Sequence, residues 1–171
     1  TAAMHGIETV YHLAGIISIL PGRNELVRRV NVDGTRNVIQ AAHTAGVRRL
    51  VYTSSIHAFQ RLAHGREMDE SLPFDPLHAI SAYDQSKAEA SLAVLQAARD
   101  GLDTVIVAPT GVIGPFDFRI SEMGALVLSW MKPGNSILVD GRYDFVDVRD
   151  VARGEILAGQ HGKSGEVYIL S

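Results

Sequence analysis

The chain has 171 residues, of which 46% are hydrophobic and 20% charged, with Gly 16, Pro 6, Cys 0 and a formal net charge of -3. That composition belongs to an ordinary globular chain of about one domain and excludes disorder, collagen and low-complexity architectures. The missing basic excess argues against a nucleic-acid partner, and the missing cysteine excludes disulfides, thiolate zinc sites and a Cys nucleophile.

In chain order, the first expected element is a strand over Thr9–Leu13. The apolar stretch around it, Val10 to Leu20, contains His12 and is too short to span a bilayer. No basic segment precedes an apolar one at the N-terminus, so a cytoplasmic protein without a membrane partner is expected. A helix follows over Asn24–Ala45, where Val27, Val30, Gly34, Val38, Ala41 and Ala45 recur at steps of three or four and form one apolar face. Gly46 marks its stop. Gly34, inside the helix, suits a close approach to a sheet backbone. A second strand covers Arg49–Thr53. A second helix covers Ala82–Arg99, with Ala88, Leu92 and Leu95 on its apolar face and Gly101 at its end. Thr104–Ala108 is a third strand, Val148–Gln160 a third helix and Glu166–Leu170 a last strand.

Strands that are apolar on both faces, alternating with amphipathic helices, make an α/β fold of consecutive βαβ units around a parallel sheet. Right-handed crossovers bring the carboxyl ends of the strands to one edge, and ligands bind there. The segments just past the strands are Ala14-Gly15, Ser54-Ser55 and Pro109-Thr110-Gly111, all small enough for a flat ligand to reach the backbone.

Tyr83 and Lys87 lie four apart on the second helix, on one face. A phenol is a poor base at neutral pH, and a neighbouring ammonium favours its phenolate. The pair suits proton exchange with a carbonyl/alcohol couple, with the Ser55 hydroxyl bonding the same oxygen. The competing reading is a solvated helix face that happens to carry the two residues.

Six segments occur together in order. They are His12-Leu13-Ala14-Gly15, Asn31-Val32-Asp33-Gly34-Thr35, Val51-Tyr52-Thr53-Ser54-Ser55, Ser81-Ala82-Tyr83-Asp84-Gln85-Ser86-Lys87, Pro109-Thr110-Gly111-Val112-Ile113-Gly114-Pro115 and Phe145-Val146-Asp147-Val148-Arg149-Asp150-Val151-Ala152. In this the sequence resembles the extended short-chain dehydrogenase/reductase family, of the NAD-dependent epimerase/dehydratase type. The resemblance implies a Rossmann-like doubly wound parallel sheet and a NAD or NADP cofactor. It implies Ser55, Tyr83 and Lys87 as catalytic residues, with Tyr83 the acid/base and Lys87 lowering its pKa and holding the nicotinamide ribose. Ser55 is preferred to Ser54 because Phe59, four residues on, completes the family spacing. His12, Leu13, Ala14, Gly15, Thr53, Tyr83, Lys87, Pro109, Gly111 and Val112 are then expected to contact the cofactor, and His57 and Arg119 the substrate. Asn31 is expected to tie its helix to the neighbouring strand. A homodimer is expected through the helices at 24–45 and 82–99.

The sequence departs from the family where the family begins, with no strand–glycine-rich loop–helix ahead of Thr9. The expectation is an incomplete Rossmann-type portion over residues 1–115 and a partial substrate-binding region over 116–171, weak in cofactor binding by itself. Gly159-Gln160-His161-Gly162-Lys163-Ser164-Gly165 spells Gly-x-x-Gly-x-x-Gly but follows a helix and precedes a strand, the wrong order for a phosphate site; a glycine-rich turn is expected.

Ala108 ahead of Pro109, and the aromatic run Phe116-Asp117-Phe118-Arg119, favour the dihydroflavonol-reductase and hydroxysteroid-dehydrogenase branch. Met123, Leu126, Leu128, Trp130 and Met131 line either an apolar substrate or a buried helix face. A nucleotide-sugar epimerase or dehydratase is the alternative enzyme, for which Arg119 and Arg142 could meet a diphosphate. A dinucleotide sensor without turnover is the non-enzymatic one. Ser54 and Ser55 lack the glycines of a hydrolase elbow, and the histidines form no metal-ligand pair. The arginine pairs Arg28-Arg29 and Arg48-Arg49 mark a solvated face and a strand start.

Overall fold

The computed structural model describes residues 2–18, 24–63, 65–132, 134 and 143–171. Four strands form one parallel sheet in the order β1 (Thr9–His12), β2 (Arg49–Thr53), β3 (Thr104–Pro109) and β6 (Val167–Leu170). Thr9 is in register with Arg49, Leu50 with Thr104, and Ile106 with Val167. Every residue of β3 is buried, as the centre of a sheet covered on both faces requires.

The two faces follow the period-2 alternation of strand side chains. Leu50, Tyr52, Ile106 and Ala108 pack towards α2 (Gly34–Ala45) and α3 (Ala82–Arg99), with Ala42, Ala88, Val94 and Ala97 as partners. Val51, Val105 and Val107 pack on the other face against Ala158 of α5 (Val148–His161). A short parallel pair, β4 (Gly111–Ile113) with β5 (Phe145–Asp147), stands beside the main sheet, so Gly111 belongs to a strand and not to an open loop.

The first long helix differs from the expected one. Asn24 caps α1 (Glu25–Arg28), whose backbone passes through a π turn at Arg29–Asp33 before α2. The wider turn shifts the buried stripe to Val27, Asn31, Thr35 and Ala42, away from Val30 and Gly34. Gly34 is not pressed on the sheet: a methyl there would meet only the Arg29 carbonyl, at 3.8 Å. Gly46 ends α2 in the left-handed conformation, φ 66°, as expected. On α3, Leu92 points to solvent and small residues, Ala90, Ser91 and Ala97, form the inner face instead.

α4 (Glu122–Trp130) buries none of its residues, which overturns the buried-face reading of Leu126, Leu128 and Trp130. Gly159 lies inside α5 rather than in a turn; a methyl there would overlap the Tyr11 hydroxyl, while Gly162 and Gly165 lie at and beyond the helix end. Among the described residues, no helix is long and apolar enough to cross a membrane.

Candidate active site

The carboxyl ends of β1, β2 and β3 meet at one edge, and the expected residues gather there. Leu13, Ala14 and Gly15 form an exposed loop past β1. Asn31 holds that loop: its Oδ1 accepts from Ile16 N at 2.7 Å, and its Nδ2 donates to Ile16 O and to Ser86 Oγ, both at 2.9 Å. Asn31 thus ties its π turn to the loop and to α3, rather than to a strand.

His12 is buried. The Thr35 hydroxyl donates its one proton to the Asn31 carbonyl, so it accepts from His12 Nε2, at 2.9 Å. That fixes the neutral tautomer. Burial, with the nearby Lys87 charge, lowers the His12 pKa to about 4.

Ser54 and Ser55 part company at the end of β2. Ser54 Oγ turns inward to Ser91 Oγ, at 2.6 Å. Ser55 caps a single 3₁₀ turn, Ile56–Ala58, by accepting from His57 N at 3.2 Å, which leaves its own proton free. Tyr83 is in the first turn of α3, whose cap is Ser81. Burial raises the Tyr83 phenol above its ordinary value; the Ser55 hydroxyl, in hydrogen-bonding reach, opposes this, and Asp84 and Tyr143 add to it. Lys87 is not among the groups that move Tyr83.

Lys87 is 5% exposed. Its ammonium donates to the Thr53 carbonyl at 2.7 Å and lies 5.1 Å from the centre of the Tyr52 ring. A methyl on Gly15 would sit 3.6 Å from Lys87 Nζ, so the glycine keeps the space above the ammonium open. One of the three N–H groups of Lys87 is used by Thr53; the other two have no hydrogen-bond acceptor among the described residues.

Beyond the end of β2, His57 Nε2 meets the Tyr143 hydroxyl at 2.6 Å, and its Nδ1 is 4.0 Å from Asp84 Oδ1. Asp84, buried, also takes Arg61 at 3.2 Å. Burial is the main cause that lowers the His57 pKa. His57 and Tyr143 share a cavity of about 340 Å³ with Ile56, Phe59, Leu62 and Met68 and with Arg61 and Arg66. Pro109 ends β3, Gly111 is pressed under Tyr143 and Phe145, and Val112 is half-exposed beside them. Arg119 is exposed in the turn ahead of α4, apart from this cluster; Arg142 lies outside the described residues.

Asp84, Tyr143 and Glu155 were absent from the expected set. Asp84 and Tyr143 carry no local signal, because both meet at His57, which is distant from each of them in the chain. Glu155 could have been found: with Val151 and Ala158 it falls at helical spacing on the inner stripe of α5.

The sequence profile of the NAD dependent epimerase/dehydratase family matches residues 1–171. A Synechocystis sp. protein provisionally named dihydroflavonol 4-reductase is 39% identical over 171 residues, 98% of this chain and 50% of that protein. Sterol demethylase protein B of Methylococcus capsulatus is 38% identical over 169 residues, 99% of this chain and 51% of the relative. In structure, a double mutant of the dTDP-glucose 4,6-dehydratase DesIV of Streptomyces venezuelae, with NAD bound, superposes with a TM-score of 0.81 at 26% identity over 98% of this chain and 53% of its own. The chain spans about half the length of these relatives. With the profile matched from end to end on a parallel Rossmann-like sheet, the chain belongs to the NAD dependent epimerase/dehydratase family.

Proposed function

We propose that the whole protein is a NAD- or NADP-dependent oxidoreductase that interconverts a carbonyl and a secondary alcohol, with Tyr83 as the acid/base. The observation that carries this reading is the Ser55 hydroxyl within reach of the buried Tyr83 phenol, with the buried Lys87 ammonium one helical turn on, fixed on the Thr53 carbonyl at the end of β2. The residues present fit a nicotinamide ribose. The loop Leu13–Gly15 is open, Gly15 leaves room over Lys87, and Lys87 holds unspent donors for hydroxyl oxygens. Thr53 anchors that lysine, and Pro109, Gly111 and Val112 would close the far side. The nicotinamide, when bound, supplies or accepts the hydride.

The chain's own residues handle the oxygen. Ser55, already accepting from the backbone, donates to the substrate oxygen. Tyr83 passes its proton to that oxygen in reduction and takes it back in oxidation. Lys87 orients the ribose. Residues 116–171 supply part of the substrate side; beside His57, the cavity residues Ile56, Phe59, Leu62 and Met68 support an apolar substrate, whereas Arg61 and Arg66 in the same lining support the nucleotide-sugar alternative. Exposed Leu26 and Leu92 support a homodimer through the helices at 24–45 and 82–99. A cytoplasmic location goes with this reading.

In the whole protein, reduction of apolar ketones is measured against turnover of nucleotide sugars, with NADH and with NADPH. Tyr83→Phe is expected to lose about 10²–10⁴-fold in kcat while keeping reduced-cofactor binding. Turnover of sugars alone replaces the substrate class. An unchanged rate in the variant removes Tyr83 from the chemistry, and cofactor binding without turnover of either class favours a sensor.

A further inference from the structure

Glu155 is a buried carboxylate that the reaction just described does not use. It is 4% exposed, on the stripe of α5 that packs on the sheet. An isolated carboxylate in such a place costs several kcal/mol unless it is paired. Its Oε1 accepts from Thr53 Oγ1 at 2.6 Å, and its Oε2 has no hydrogen-bond partner among the described residues. From the other face of the sheet, Lys87 donates to the carbonyl of the same Thr53 at 2.7 Å. One residue at the end of β2 therefore carries an anion on its side chain and a cation on its backbone.

Among the described residues, the titratable groups around Lys87 are His12 from β1, Tyr52 from β2, Tyr83 one turn back on α3, and Glu155, of which Glu155 is the carboxylate. Other charged or phenolic groups that meet α5 are engaged elsewhere. Tyr11 packs at Gly159, Arg49 bonds the carbonyl of Gly159, Tyr168 turns to Lys163 N, and Asp147 pairs with Arg149 at the helix start.

We propose that Glu155 is the counter-charge of Lys87, set across the end of the sheet through Thr53, and that it keeps the ammonium charged and directed at the cofactor space. It is a positioning residue, acting through Lys87, and the inference rests on the function proposed above. The charges support one another. Burial draws the Lys87 pKa down to about 8 and Glu155 opposes it; burial raises Glu155, and Thr53 and Lys87 oppose that. Without the carboxylate, Lys87 would lose charge in the neutral range, and with it one of its three N–H donors and the positive charge that strengthens a hydrogen bond to a cofactor hydroxyl.

The test is a lysine titration in the whole protein, labelled with ¹³C and ¹⁵N at lysine, with Lys87 assigned by its loss in Lys87→Arg. In Glu155→Gln the Lys87 midpoint is expected to fall by about one pH unit. Thr53→Val, which removes the bridging hydroxyl, moves it in the same direction. A Lys87 midpoint unchanged or raised in Glu155→Gln overturns the inference; if that variant does not fold, an unchanged midpoint in Thr53→Val does so. Cofactor binding by the unmodified protein is measured in parallel. The titration failing while binding holds sinks only the counter-charge, and binding failing while the titration holds sinks only the oxidoreductase reading.

Discussion

Tyr83 is kept protonated by its surroundings, because burial outweighs the opposing effect of the nearby Ser55 hydroxyl. A phenol in that state is ready to give a proton and reluctant to take one. Reduction is therefore expected to hold its rate from neutral into alkaline pH, while the reverse oxidation climbs with pH over the same range; matched pH–rate profiles in both directions check this. A profile for oxidation that is flat through the neutral range contradicts it. His12 makes a separate pH prediction. Its folded pKa, about 4, lies below the ordinary 6.5, so the unfolded chain takes up the proton first. Its contribution to stability is full above the ordinary value and is lost as pH falls through that window. Urea midpoints followed across it are expected to drop less in His12→Gln than in the unmodified protein.

At the scale of elements, two contacts decide whether the site holds its shape. Asn31, exposed by 1%, spends its amide on both backbone groups of Ile16 and on Ser86. Asn31→Ala is expected to cost about 1–3 kcal/mol in denaturant unfolding and to loosen the 13–16 loop, seen as faster amide exchange there. Gly162 ends α5 against its own helix and β3: a methyl would stand 2.5 Å from the Ala158 carbonyl and 2.9 Å from Val105. Gly162→Ala is expected to cost about 1–3 kcal/mol by overpacking. The existence and ends of most elements were legible from periodicity and caps, as with the helix over Ala82–Arg99. Their buried faces were less so. Leu92 is outside and Ser91 inside: the inner face of α3 is made mostly of small residues, Ala88, Ala90, Ser91 and Ala97, around Val94.

Across the whole molecule, Arg49 joins three elements at the edge opposite the site. Its guanidinium meets Asp103 at 2.8 and 2.9 Å and the carbonyl of Gly159 at 3.1 Å, so β2, the start of β3 and the end of α5 are held together. Arg49→Met, which keeps the apolar stem, is expected to lower stability by about 1.5–3 kcal/mol, read from the urea midpoint. An exposed ion pair would contribute far less.

The sequence by itself determined the α/β alternation, the parallel sheet and the edge at which small residues collect, because those follow from periods of 2 and 3.6 and from the handedness of crossovers. It also singled out Ser55, Tyr83 and Lys87 as candidates, since helical spacing and strand ends are local properties. The tertiary structure decided what each group feels. The π turn moved Asn31 and Thr35 inward, the fold set Lys87 on Thr53 rather than on the Tyr83 phenol, and it placed Glu155 within range of Lys87 from the far side of the sheet. Burial and charge depend on neighbours that are distant in the chain, and no local pattern of residues encodes that distance.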